Sequence, residues 1–332
     1  MSLLGFLTLK FEAIMNKPGV ILITTLMIVM VMSIISMQIS KNFFIALKRE
    51  AYLDFKNLSY QMLLSSEAQA IETVKREIDS YRNKLTANNP LLTKNFTYDY
   101  DIFSLELKII DGSNCFNLNS IFNISGKGYE VNEPRREWLN RYLQLKLLNP
   151  TDIESFFDQL IDWVDLDNQP LNFGAENYYY MGPMSQVNQF TPKRLLVDLS
   201  EIKNLPVMRN LNFLDIATHL CVIPGSTSQL ININTLKPTD TMLIASFFNE
   251  KNLEYVESQI TSLPQEGYDE VNSFIAKFKG AANFPAQILS INSKTFKLRT
   301  RLIDESFSAE LESLVILDVS NSAKVLNRNF NF

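Results

Sequence analysis

Asp165, Asp167 and Glu176 lie in the stretch DWVDLDNQPLNFGAENYYY, which runs from Asp162 to Tyr180. Their spacing loosely matches positions 1, 3 and 12 of a calcium-binding EF-hand loop, and carboxylates are the hard oxygen donors that Ca²⁺ takes. Gln169 or main-chain carbonyls would complete the shell. Pro170 stands where an EF-hand has its glycine, so the path of this loop must differ. A solvated acidic helix end accounts for the same spacing equally well.

No other group of residues suggests chemistry of its own. The chain has one histidine, His219, and a Ser/His/Asp or Cys/His catalytic site would have to use it. Its neighbours Leu214, Ile216, Ala217 and Leu220 are apolar, which reads as a core or boundary histidine rather than a general base. Neither a G-x-S-x-G elbow nor a phosphate-binding G-x-x-x-x-G-K-[ST] loop occurs, and SGKGY at Ser125 to Tyr129 lacks that spacing. Structural zinc wants four Cys or His ligands, and one histidine with two cysteines cannot supply them. No enzyme class is selected.

Composition bounds the remaining classes. With 332 residues, 46% of them hydrophobic, the chain can build one large or two ordinary domains beyond any anchor. A formal net charge of -5 argues against nucleic acid as the main partner, because phosphate binding needs a basic face. Cys115 and Cys221 are even in number. They can form one bridge in an oxidising compartment, tying the sheet side to the helical region, or lie as two buried thiols in a reducing one.

The elements that must position the acidic loop begin with a long helix. Between Lys17 and Lys41 there is no charged side chain, which gives the roughly 20 apolar residues needed to span a bilayer. The run closes with Ser36, Met37, Gln38 and Ile39 rather than a small-x-small cleavage site, so it reads as retained. From Val20 to Asn89 no Pro or Gly occurs. Phe44, Leu47, Ala51, Phe55, Leu58 and Met62 recur at helical spacing, which extends one amphipathic helix beyond the membrane. A plain single-pass anchor with a coiled-coil stalk is the alternative.

Directly before the acidic loop a second helix is well signalled. Asn149 is its N-cap, Pro150 its first residue, and Ile153, Phe156, Phe157, Leu160, Ile161 and Val164 its buried face. Period-two alternation in FSLELKII, TFKLRTRL and FSAELESLVILDV predicts antiparallel strands near both ends of the chain. Between about Asn132 and Ala282 helical patterns dominate, in REWLNRYLQLKLL, PKRLLVDLSEI, PTDTMLIASFF and GYDEVNSFIAKF. The phrases CFNLNSI and LININTL share an Asn-apolar-Asn theme that can tie turns to the backbone.

Ordered along the chain, KPGVILITTLMIVM, DGSNCFNLNSI, LIDWVDLDNQPLNFGAENYYY, LVDLSEIKNLPVM, LININTLKPTDTML and LSINSKTFKLRTRL resemble the general secretion pathway protein K family, the minor pseudopilins of type II secretion systems. The resemblance implies an α+β pseudopilin fold: a long N-terminal transmembrane helix packed on a small antiparallel sheet, with a large inserted all-α domain. It divides the chain into a prepilin leader (1–19), the N-terminal helix (20–92), first strands (93–131), the insert (132–285) and C-terminal strands (286–332). Prepilin peptidase would cut between Gly19 and Val20, leaving the protein in the bacterial inner membrane as a single pass with its bulk in the periplasm. Ca²⁺ would sit in the acidic loop as a structural ion. The expected place is the tip of the pseudopilus, in contact with minor pseudopilins I and J. A membrane-anchored, calcium-dependent binding or hydrolytic ectodomain is the competing reading.

Two features depart from that pattern, the leader and the acidic loop, and a third residue differs from the shaft pseudopilins. The leader is apolar and contains Glu12, where prepilin leaders are short and basic; a start at Met15 would give the more ordinary MNKPG. Pro170 interrupts the acidic loop. The fifth residue after the expected cut is Thr24, where shaft pseudopilins carry a glutamate thought to pair with the N-terminal amine of the preceding subunit.

Overall fold

The computed structural model describes residues 18–80, 84–100, 102–126, 128–183, 188–278, 284–318 and 322–332. Most of the expected leader lies outside the described residues. The chain divides into two units, one up to Gln61 and one from Met62 to Phe332. Helix α1 (Pro18–Ser80) is common to both.

In the first unit α1 is long and apolar enough to cross a membrane, and none of its most apolar window is buried. Hydroxyls within this run bond to their own helix: Thr24 Oγ1 donates to Val20 O at 3.1 Å and Ile21 O at 2.9 Å, and Ser33 Oγ donates to Val29 O at 2.8 Å. The run therefore carries no unsatisfied hydroxyl at these positions, which a lipid environment requires.

In the second unit α1 buries Ala70, Val74 and Ile78, a helical stripe, against a five-stranded antiparallel sheet, and Leu63 on the same helix is also buried. The strands are β1 (Asn95–Tyr100), β2 (Phe103–Asp111), β9 (Thr295–Ile303), β10 (Ser308–Leu317) and β11 (Ala323–Asn331), in the order β1-β2-β9-β10-β11. Alternate residues Leu107, Ile109, Phe296, Leu298, Val315 and Leu317 face the helix, as period two dictates. Glu67, 2% exposed, accepts both Arg328 Nε, at 2.9 and 3.1 Å, and Arg328 Nη2, at 2.7 Å, which joins α1 to the last strand. After α1, a one-turn helix α2 (Pro90–Thr93) is capped by Asn89, whose side chain accepts from Leu91 N. Among the described residues the helix runs to Ser80, ahead of the first proline breaker at Pro90.

Everything between β2 and β9 is inserted at one end of the sheet, where Asp111 stands opposite Phe296. The insert holds β3 (Phe116–Asn117), β4 (Phe122–Ser125), β5 (Gly128–Val131), α3 (Glu133–Leu145), α4 (Pro150–Val164), α5 (Asn177–Tyr180), α6 (Phe213–Ala217), β6 (Leu220–Cys221), β7 (Ile231–Asn232), α7 (Thr241–Phe248), α8 (Leu253–Thr261), α9 (Val271–Ile275) and β8 (Leu289–Ser290). Its core contains Trp138, Tyr142, Phe156, Trp163, Tyr180 and Phe274. Two differences from the sequence patterns stand out. PKRLLVDLSEI, read as helical, forms no regular element up to Asp198 and then a 3-10 turn at Leu199–Asn204, because the Asp198 side chain caps that tight turn and the Glu201 side chain bonds back to it. GYDEVNSFIAKF forms only the short α9.

The two Asn-apolar-Asn phrases build the same device twice. β3 pairs in parallel with β6, and β7 with β8; each first strand runs into a 3-10 turn capped by its own asparagine. Asn119 Nδ2 donates to Leu196 O at 2.8 Å and Ile223 O at 3.1 Å, while its Oδ1 accepts from Leu196 N at 2.9 Å. Asn234 repeats this with Tyr268 O at 2.9 Å, Ile291 O at 3.4 Å and Tyr268 N at 2.7 Å. A carboxamide offers donors and an acceptor together, so one buried side chain satisfies both directions of passing backbone. A disulfide joins Cys115 to Cys221 beside the first device, with Cα atoms 5.8 Å apart and a sequence separation of 106. Closing a loop of roughly that size stabilises by about 4–5 kcal/mol in the chain-entropy account.

Asn119→Ala would strand three buried backbone groups and is expected to cost about 3 kcal/mol. Urea unfolding of the purified protein measures this as a lower midpoint with an unchanged slope; a midpoint equal to that of the unmodified chain would show that the clasp contributes nothing.

Candidate metal centre

The acidic loop hangs from the C-terminal end of α4. The Asn149 side chain opens that helix by accepting from Asp152 N, and Phe156, Leu160, Trp163 and Val164 bury one face. Asp165 closes it, with its N–H donating to Ile161 O at 2.8 Å. Two further acids on α4 hold the returning chain. Asp158 accepts from Phe173 N at 3.0 Å, and the buried Asp162 accepts from Leu171 N with both oxygens at 3.2 Å. A Cβ on Gly174 would lie 1.9 Å from Asp162 Oδ2, so only glycine fits there. This glycine is what lets the loop turn past Pro170.

Within that frame Asp165, Asp167 and Glu176 each offer one oxygen, and these oxygens lie within 4.8 Å of one another. Glu176 is 1% exposed and caps α5, its Oε2 accepting from Asn177 N at 3.3 Å. Asp165 Oδ1 and Glu176 Oε1 are buried without a hydrogen-bond partner among the described residues. Asp167 is exposed and its Oδ1 accepts from Gln169 N at 2.8 Å. Gln169 is exposed, and its structural tie to the cluster is this main-chain bond.

Lys193 reaches the same space from the far side of the loop. Its Nζ donates to the Asp167 carbonyl, to Asn168 Oδ1 at 2.8 Å and to Leu166 O at 3.4 Å, and lies 3.9 Å from Glu176 Oε2. Asn177 braces the two strands of loop, donating to Asn168 Oδ1 at 3.1 Å and accepting from Thr191 N at 2.8 Å. Sequence spacing pointed to the carboxylate trio but not to Lys193, Asn177 or Gly174. Asp158 and Asp162 did carry a signal, as acids four apart on a helix whose other face is apolar.

Electrostatics mark the trio as short of positive charge. Burial first, then Asp167, Glu176 and Asp162, push the Asp165 carboxyl up to about 7, with Lys193 opposing. Asp162 is pushed up to about 6, mainly by burial, and Glu176 is raised for the same leading reason. An all-oxygen donor set with two orphaned buried carboxylate oxygens fits Ca²⁺, which would neutralise the crowding that raises these groups.

Elsewhere, His219 is buried, and burial followed by Lys146 holds its imidazole below the ordinary value. Its Nε2 is 3.6 Å from Asp240 Oδ1, and burial raises the Asp240 carboxyl to about 6, so burial works against charge on both partners of this contact. Cys115 and Cys221 are joined to each other, which leaves no thiolate beside this histidine. Gly19 and Val20 stand in the first turn of α1, and a Cβ on Gly19 would meet nothing within 4 Å.

Comparison with known proteins points to one family. A family model described as type II secretion system (T2SS), protein K, matches residues 114–225. The type II secretion system protein K of Aeromonas hydrophila is 26% identical over 328 residues, covering 94% of this chain and 97% of that protein. Along nearly its whole length the chain is similar to type II secretion system protein K. A Klebsiella pneumoniae member is 30% identical over 172 residues, covering 51% of each chain. The fold matches a chain of the crystal structure of the GspK-GspI-GspJ complex from enterotoxigenic Escherichia coli, with a TM-score of 0.69 at 19% identity, covering 83% of this chain and 98% of that one. Mixed helix and sheet with a long N-terminal apolar helix is thus the architecture of this chain.

The pH dependence of the cation-free loop follows from Asp165. Its folded value lies above the ordinary carboxylate range, so its contribution to stability is full below about pH 4 and is lost as pH rises through about 7. With chelator present, acidifying from pH 8 to 6 is expected to ease this strain. Added Ca²⁺ should raise the melting temperature more at pH 8 than at pH 6. Differential scanning calorimetry across that range checks the sign.

Proposed function

We propose that this protein is a type II secretion system protein K, the minor pseudopilin at the tip of the pseudopilus, starting or capping its assembly for export across the outer membrane. It is held in the inner membrane by the first half of α1, with the rest of the chain in the periplasm. The observation that carries the reading is α1 itself: one helix is unburied and apolar from Gly19 onward and, from Ala70, supplies a buried stripe to the sheet. A helix built to be pulled from lipid into a filament needs both properties in a single element.

Two features support an end position over a repeating one. Thr24 stands where a shaft subunit would present a carboxylate to its predecessor, and its hydroxyl is taken up by its own helix. A first subunit has no predecessor's amine to neutralise, so the missing charge costs it nothing. The insert leaves and rejoins the sheet at one end, which adds bulk that a stacked neighbour would have to avoid. Minor pseudopilins I and J are the partners this places beside it, in keeping with the complex in which the solved neighbour was crystallised. Ca²⁺ at Asp165, Asp167 and Glu176 would hold the insert's loop in shape, with no chemical step assigned to it. Prepilin peptidase would release Val20 as the new N-terminus.

Gly19→Val is expected to leave the precursor uncut, and N-terminal sequencing of the membrane-extracted protein should begin at Val20; a start beyond Ile39 is incompatible with the proposal. Labelled protein should appear once per filament, at the outer end. Labels repeating along the shaft would remove the tip assignment.

Chelation should lower the melting temperature of the purified protein, and Asp167→Ala should abolish that response. Identical melts of the unmodified chain with and without Ca²⁺ would remove the ion from the account.

A further inference from the structure

The acidic loop contains a cation of its own. Lys193 Nζ is surrounded by oxygens, among them the Leu166 and Asp167 carbonyls and Asn168 Oδ1, with Glu176 Oε2 at 3.9 Å. Main-chain carbonyls and side-chain oxygens of this kind are also what complete a Ca²⁺ shell. The lysine side chain is 22% exposed, and the residue holds a left-handed backbone with φ +48°. Few residues other than glycine adopt that region without local compensation, and the bonds of the side chain to the loop provide it.

The oxygens Lys193 leaves untouched are the buried pair Asp165 Oδ1 and Glu176 Oε1, which accept no hydrogen bond among the described residues. The loop therefore has two halves: an outer half already filled by an ammonium, and an inner half lined by orphaned carboxylate oxygens. Charge divides the same way. Three carboxylates carry three negative charges, which one divalent ion and one ammonium balance.

We infer that Lys193 is a tethered cation built into the calcium site. It closes the outer half of the loop, so that the inner half takes a single divalent ion and the loop keeps part of its order when that ion is withdrawn. This rests on the calcium reading proposed above. Two consequences separate it from a surface lysine of no special role. Removing the ammonium leaves the trio one charge more negative, so Ca²⁺ should bind more tightly, by about tenfold for a unit charge this close in a partly solvated site. Removing it should also loosen the cation-free loop, because its outer half loses the bonds that close it.

The test uses the full chain in detergent micelles, comparing the unmodified protein with Lys193→Met and Lys193→Arg. Melting temperatures are measured in chelator and in saturating Ca²⁺, and Ca²⁺ affinity by equilibrium dialysis with radioactive calcium. The expected result is a lower melting temperature for Lys193→Met in chelator, a larger rise on adding Ca²⁺, and tighter Ca²⁺ binding, with Lys193→Arg close to the unmodified protein. Equal Ca²⁺ affinity and an equal rise in the unmodified chain and Lys193→Met overturn the inference and leave the calcium site standing. Absence of any Ca²⁺ response in both chains overturns the calcium reading, and the inference falls with it.

Discussion

The pairing of β2 with β9 is the constraint on which the second unit depends. These are neighbouring strands in the sheet, yet the whole insert separates them along the chain. At the junction the half-buried Asp111 accepts from Ser113 N at 2.8 Å and from Ser293 Oγ at 2.7 Å, and it also accepts from Thr235 Oγ1. One carboxylate thereby gathers the exit from β2, the middle of the insert and the approach to β9. Burial raises its pKa while these three donors work to lower it, as expected of a carboxylate that gives up water for hydrogen bonds. Sheet and insert are held to each other at a point where both chain crossings pass.

What was legible in the sequence follows from how local its cause is. Strands β2, β9 and β10 alternate because one face packs on α1, and alternation shows in any short window. The edge strands β1 and β11 are mostly exposed or half-buried, so they carry no such pattern. PKRLLVDLSEI has helical spacing, but Glu201 takes hydrogen bonds from Val197 N at 2.7 Å and Asp198 N at 3.1 Å and sets a tight turn instead. The carboxylate trio was visible because its members share one loop. Lys193 was not, because the fold and not the spacing brings it across. The Asn phrases could be seen as a theme, but that each clasps distant backbone is a tertiary fact.

The insert's two clasps show how irregular chain can be held without long secondary structure. Each parallel pair is two residues long, too short to hold by ladder bonds alone, and the buried asparagines supply what the ladders lack. Only the first clasp has a covalent partner in the Cys115–Cys221 bridge. The second is tied instead to the segment after α1, where Ala87 N donates to Asn234 O at 2.9 Å and Asn232 Nδ2 donates to Leu85 O at 3.0 Å.

The splitting of the sheet by the insert also sets a timetable. Contacts between residues close in sequence form before those that must close a long loop, and a chain delivered from its N-terminus exposes β2 well before β9 exists. The insert can therefore settle while β1 and β2 wait as an unfinished hairpin with an open edge. Only when Thr295 and the residues after it arrive does β9 cover that edge and α1 gain its full partner surface. The sheet is thus the last part that the order of synthesis allows to be completed, and a chain whose insert fails to bring β9 back keeps an open edge on β2.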